Sequence, residues 1–113
     1  MRVKILTYNI LDGGVGREAF LCEIVQSQHA DVIVLQEVLA APFVEQLARA
    51  LNYDLYIAPG SNRHALALLT RFPILTRNSY HPPPLRHTLL EARVDYAPGA
   101  GLYIFGVHLA APA

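Results

Sequence analysis

Asp31-Val32-Ile33-Val34-Leu35-Gln36-Glu37 is the stretch on which the reading of this chain turns. Its four consecutive apolar residues, three of them β-branched, suit a strand covered on both faces better than one with a wet side, which would alternate. The run stops abruptly at Gln36 and Glu37, so a carboxylate is set where a buried strand surfaces. Enzymes built on α/β sheets and sandwiches keep their chemistry at such strand ends, and Glu37 is therefore the first candidate functional residue.

Working outward, the segment before it reads as a strand near residues 3–8 and a turn at Asp12-Gly13-Gly14. A helix follows from about Arg17 to Gln28, with Phe20, Leu21, Ile24 and Val25 sharing one face. After it, Pro42 suits the first turn of a helix on which Phe43, Leu47 and Leu51 recur every four residues, and Asn52 can close that helix. The order so far is βαβα. Residues 53–58, 65–70, 89–95 and 102–107 then read as short strands between Pro- and Gly-bearing turns, so the second half is mostly β and the class is α/β (α+β). Ala97-Pro98-Gly99-Ala100-Gly101 predicts a hairpin joining the last two strands, and His81-Pro82-Pro83-Pro84 a stiff polyproline connector.

The chain has 113 residues, of which 53% are hydrophobic and 16% charged, which fits one modest domain with a real core and excludes disordered and fibrous classes. Nine basic and nine acidic residues cancel, removing the broad positive field that would hold a nucleic-acid backbone unaided. A single cysteine, Cys22, has no internal disulfide partner and falls in a predicted helix, so it reads as packing in a reduced compartment. The chain opens directly into a strand pattern and carries no apolar run of membrane-spanning length; a cytoplasmic protein without a membrane span is expected.

Three polar residues follow strands in this scheme: Asn9 after Ile5-Leu6-Thr7-Tyr8, Glu37 after the buried run, and His108 after Leu102-Tyr103-Ile104-Phe105-Gly106-Val107. Neighbouring strand ends gather such groups. A carboxylate with an amide oxygen beside it and positions open to water suits a hard divalent cation, Mg²⁺ (or Mn²⁺), which completes its shell with water and substrate phosphate. An imidazole alongside can hydrogen-bond or protonate a phosphoryl oxygen near neutral pH. The set points toward metal-assisted phosphoester cleavage. Arg63 and His64 precede a strand and are further candidates for contact with a substrate phosphate, although loop residues of this kind are more often simply solvated. His29, His64, His81 and His87 form no pair at zinc-ligand spacing and read as solvated loop positions.

Leu6-Thr7-Tyr8-Asn9-Ile10, Asp31 to Val38, Leu68-Leu69-Thr70-Arg71-Phe72-Pro73-Ile74 and Val107-His108-Leu109, taken in this order and spacing, carry a family resemblance. The chain resembles the endonuclease/exonuclease/phosphatase (DNase I-like) superfamily, whose members share a four-layer α/β/β/α sandwich with a divalent-metal site. The resemblance implies that Glu37 coordinates the metal, that Asn9 lies in its immediate shell, and that His108 contacts or protonates the phosphoryl group. It also implies a phosphorylated substrate, whether nucleic acid, phospholipid or sugar phosphate.

Two further segments of that family, a Gly-Asp-x-Asn run and a terminal Asp-His pair, do not occur in this sequence, which stops at Ala113. The resemblance thus implies a C-terminally truncated domain over residues 1–113: half of the sandwich, with a mixed, mostly antiparallel sheet, helices on one face and little of the opposing layer. Such a half should leave an apolar sheet face and an open strand edge uncovered and self-associate, with little turnover of its own. A noncatalytic binding or subunit-interaction module using that exposed sheet is the alternative function. A nucleotide-binding βαβ unit ranks last, because Asp12-Gly13-Gly14-Val15-Gly16 lacks the Gly-x-Gly-x-x-Gly spacing.

Overall fold

The computed structural model describes residues 2–60, 64–81 and 88–108, and among these it has seven strands, two helices and one short 3-10 turn. Strand β1 (Ile5–Asn9) leads through the 3-10 turn Asp12–Gly14 into helix α1 (Glu18–Ser27), then β2 (Val32–Val38), α2 (Ala41–Leu51), β3 (Asp54–Ala58) and β4 (Ala65–Thr70). Three more strands follow: β5 (Ile74–Tyr80), β6 (Leu89–Ala97) and β7 (Ala100–Val107).

The first four strands form one sheet in the order β1-β2-β4-β3, parallel between β1 and β2 and antiparallel elsewhere; the last three form a second, antiparallel sheet, β5-β6-β7. Strand β2 lies between β1 and β4 and is covered on both faces, which is the physical reason for its unbroken apolar run. Ile33 and Leu35 join Ala67 and Leu69 of β4 in a core under the helices, where they meet Leu21 and Val25 of α1 and Val44 and Leu47 of α2. Val32 and Val34, with Leu66 and Leu68, face the other way into a second core shared with Leu90, Ala92, Val94 and Ile104 of the second sheet. The layers therefore run helix, sheet, sheet.

This arrangement corrects one expectation. The inner face of the first sheet is not left without its opposing layer, because the β-rich second half folds back as a sheet of its own and covers it. Strand β7 does expose an apolar row, in which Tyr103, Phe105 and Val107 alternate with the inward Ile104 and Gly106 and are 61%, 60% and 40% exposed. Gly106 sits where a Cβ would come within 3.1 Å of a Val34 methyl, so its lack of a side chain lets β7 lie close on the first sheet.

The helix faces are also rotated from the sequence reading. On α1 the buried stripe is Leu21 and Val25, while Phe20 is 62% exposed; on α2 it is Val44, Leu47 and Ala48, with Phe43 and Leu51 at its margins. Pro42 occupies the first turn of α2 and Asn52 ends it in the left-handed conformation, with the Tyr53 N–H bonded to the Ala48 carbonyl, as their residue types favour. The hairpin turns through Pro98 and Gly99, the latter at φ +75°, and pairs β6 with β7. Strand β5 was not legible: Thr76, Arg77 and Asn78 are exposed on the edge of the sheet and give no alternation. The polyproline expectation at Pro82-Pro83-Pro84 lies outside the described residues.

Cys22 is partly buried against the helix–sheet core, and burial with the nearby Glu18 charge pushes its thiol up, away from the reactive thiolate. Among the described residues no helix is long and apolar enough to cross a membrane.

The two-sided core makes a simple prediction. Leu68→Ala, at the contact between the sheets, should cost about 3 kcal/mol of unfolding free energy in a urea titration, whereas Phe20→Ala should stay within about 0.5 kcal/mol. Similar losses at both positions would contradict the face assignment.

Candidate metal and phosphate site

Strands β1 and β2 run parallel and end together, with Asn9 opposite Gln36 in the register, so Asn9 and Glu37 arrive at one edge of the first sheet. At that edge β2 bulges between Leu35 and Val38, and Glu37 adopts φ +62°. A non-glycine residue in this conformation costs of order 1 kcal/mol or more and persists only when its surroundings fix it. Here its two carboxylate oxygens are both engaged. The Asn9 side-chain amide donates to Oε2 at 2.7 Å, and the Asp12 backbone N–H donates to Oε1 at 2.9 Å.

The loop that presents Asp12 is held as firmly. Asn9 Oδ1 accepts from the Leu11 N–H at 2.9 Å, an Asx turn, and the Arg17 guanidinium donates to the Ile10 and Leu11 carbonyls at 3.1 and 2.9 Å. Leu11 and Asp12 have φ of +57° and +50°, so three left-handed non-glycine residues meet at this one place. Gly14, at φ +66°, is packed so closely under the Leu21 side chain that a Cβ would collide with it. Asn9 thus acts as a strut: its nitrogen steadies the carboxylate and its oxygen shapes the loop.

Two imidazoles flank Glu37. His108 Nε2 lies 3.5 Å from Oε2, and His64 Nε2 lies 4.0 Å from Oε1 and 2.8 Å from Asp12 Oδ1. The ring centres of the two histidines are 6.3 Å apart. His108 is brought in from the second sheet, where the preceding Val107 carbonyl accepts a 3.0 Å bond from the Gln36 side chain and so ties the end of β7 to the end of β2. The hydrogen bonds from Asp12 and Asn9 hold the Glu37 carboxyl below the usual carboxylate range; desolvation opposes this and the nearby His64 and His108 assist it.

Asp12, Glu37 and His64 each offer a ligand atom, and these lie within 4.8 Å of one another. Six ligands at ~2.1 Å from a small divalent ion stand about 3 Å apart when adjacent and about 4 Å apart when opposite, and the 2.8 Å His64–Asp12 and 4.0 Å His64–Glu37 separations fall in that range. Each Glu37 oxygen keeps a second lone pair beyond its hydrogen bond.

Of the residues singled out in the sequence, Asn9, Glu37 and His108 are brought together. Arg63 lies outside the described residues. The sequence does not show Asp12 and His64 as members of this cluster: Asp12 reads as part of a glycine turn, and His64 as a candidate phosphate contact or a solvated loop residue, whereas its side chain is only 19% exposed and lies against Asp12. A signal existed in the position of His64 directly before the apolar β4, whose first residue pairs with Val38 just past the bulge.

The chain belongs to the endonuclease/exonuclease/phosphatase family, whose model matches residues 6–108. This is a family of phosphoesterases and nucleases that generally depend on a divalent metal. No individual curated protein matches the chain in sequence. Among solved structures, truncated Caenorhabditis elegans TDP2 is similar over 97% of this chain and 47% of its own, with TM-score 0.82 and 22% identity. D. rerio TDP2 complexed with a single-strand DNA product is similar over 91% of this chain and 44% of its own, with TM-score 0.71 and 23% identity. ANGEL2, a 2',3'-cyclic phosphatase, in complex with adenosine-2',3'-vanadate is similar over 96% of this chain and 41% of its own, with TM-score 0.79 and 17% identity. At these identities the likeness is one of fold, and the chain spans less than half the length of each.

The lowered Glu37 pKa predicts a pH dependence of stability. Because its folded value is depressed, the contribution is present above the unfolded carboxylate value and is lost as pH falls through the folded one. In chelator-treated protein, the stability difference between wild type and Glu37→Gln should therefore hold at pH 6–7 and fade below about pH 4. A difference that grows on acidification would contradict the hydrogen-bond assignment.

Proposed function

We propose that this chain supplies the divalent-metal and phosphoryl-contacting part of a phosphoesterase that hydrolyses phosphodiester or phosphomonoester bonds. The observation that carries the reading is the convergence of Asn9, at the end of β1, and His108, just past β7, on the Glu37 carboxylate of β2. Glu37 and Asp12 hold the metal, Mg²⁺ or Mn²⁺. Asn9 stays in its immediate shell, orienting Glu37 through its amide N–H while its oxygen accepts from the Leu11 N–H. A bound divalent ion offers Lewis-acid stabilisation of phosphoryl charge. His108, beside the carboxylate, donates a hydrogen bond or proton to a phosphoryl oxygen. Arg63 is assigned a supporting contact with substrate phosphate.

The substrate class is a phosphorylated one, nucleic acid, phospholipid or sugar phosphate; a single-strand DNA product and adenosine-2',3'-vanadate are bound in two of the similar structures. These 113 residues contain neither a Gly-Asp-x-Asn run nor an Asp-His pair, so they hold half of a domain and turn over slowly or not at all on their own. The single, partly buried Cys22 favours a reduced, cytoplasmic setting.

The test is binding. Wild-type protein should bind Mn²⁺ in a water-proton relaxation titration, and Glu37→Ala should weaken it at least about tenfold. His108→Ala should leave Mn²⁺ affinity within about twofold and weaken orthovanadate binding instead. Unchanged Mn²⁺ affinity in Glu37→Ala would overturn the reading.

A second reading, a binding or self-association surface, is favoured by one observation. A groove of about 400 Å³ runs between the edges of β1 and β7, lined by Ile5, Val34, Tyr103 and Phe105 among others. Both strands are edges of their sheets and Tyr103 and Phe105 are exposed, a combination that invites pairing. Sedimentation velocity should show concentration-dependent association that Tyr103→Ser/Phe105→Ser reduces; a monodisperse wild-type monomer would remove this reading.

A further inference from the structure

We propose that His64 is a nitrogen ligand to the metal held by Glu37 and Asp12, and that the site therefore takes a divalent ion of the Mn²⁺-to-Zn²⁺ series in preference to Mg²⁺. The inference rests on the reading of Glu37 as a metal ligand and goes beyond it by naming the ion class and the residue that selects it.

His64 is poorly placed for a solvated loop residue. Its side chain is 19% exposed, and its Nε2 is hydrogen-bonded to Asp12 Oδ1 at 2.8 Å with Glu37 Oε1 4.0 Å away. That geometry is the hydrogen bond of an imidazole to an acid, and a small shift of either side chain would let one cation take the place of the shared proton, since metal binding displaces protons from its ligands. The positions of the three groups are fixed from separate elements. Glu37 comes from the β2 bulge, Asp12 from the Arg17-braced loop, and His64 from the residue before β4, whose register with β2 sets it against the bulge. His108 approaches the other oxygen of Glu37 and lies outside the three-ligand group.

Ligand chemistry then decides between ions. Mg²⁺ binds oxygen and keeps most of its water, whereas an imidazole among carboxylates suits Mn²⁺, Fe²⁺, Co²⁺ or Zn²⁺.

The experiment titrates Zn²⁺ and Mg²⁺ separately into the 113-residue chain by calorimetry, and records pulsed EPR of the Mn²⁺-loaded protein for coupling to a ligand nitrogen. Wild type should bind Zn²⁺ at least about a hundredfold more tightly than Mg²⁺ and show the nitrogen coupling. His64→Gln should lower that ratio about tenfold or more, abolish the coupling and leave Mg²⁺ affinity within about threefold. His29→Gln should change nothing, and His64→Asn serves if the glutamine variant misfolds by circular dichroism. Coupling and preference that survive in both His64 variants would overturn the proposal; if Glu37→Gln still abolishes Mg²⁺ binding, the metal role of Glu37 stands regardless. A wild-type chain that binds neither ion, or a Glu37→Gln variant that binds both normally, would overturn the two together.

Discussion

The structure depends on one strand being buried on both faces and then released. Strand β2 is enclosed by helices on one side and by the second sheet on the other, which fixes its register against β1 and β4 over five and four residues before the bulge. Register in such a strand is strongly determined, because a one-residue slip would exchange the two cores. The bulge that follows is the release. It rotates Glu37 into a left-handed conformation and aims its carboxylate at the end of β1. The local backbone cost is offset by hydrogen bonds to both oxygens, and the same bonds hold the group ionised.

Around that carboxylate, each neighbour is braced by something outside the site. Arg17 at the start of α1 holds the loop carbonyls, and Gln36 on β2 holds the end of β7. The second sheet therefore contributes more than cover for an apolar face. It carries His108 to Glu37 from a strand that shares no sheet with it, so sandwich packing and site assembly are one event. A fold of this kind hosts many chemistries, so the proposal of phosphoester chemistry rests on the residues gathered at Glu37 and not on the sandwich.

Much of this was legible because β2 and the apolar β4 are extreme in composition, and because Pro42 and Asn52 have strong positional preferences. Strand ends could be read as well, and with them the positions of Asn9, Glu37 and His108. What could not be read depends on long-range partners. Phe20 falls outside the buried stripe of α1 because the docking angle of a helix is set by the sheet beneath it. Strand β5 exists because β6 offers it hydrogen bonds, with little apolar pattern of its own. The second sheet as a covering layer depended on how the β-rich half folds back. His64 and Asp12 are 52 residues apart and meet through the β2–β4 register; the place of His64 just before an apolar strand hints at a strand-end position, but its partner does not follow from any local pattern.

The most direct test of a cation centred on Glu37 is a crystal grown or soaked with Mn²⁺ and measured for anomalous scattering at the manganese edge. The account predicts one strong peak about 2.1 Å from a Glu37 carboxylate oxygen, on the side facing Asp12. A map with no peak there, or with Mn²⁺ bound only elsewhere on the chain, would contradict it.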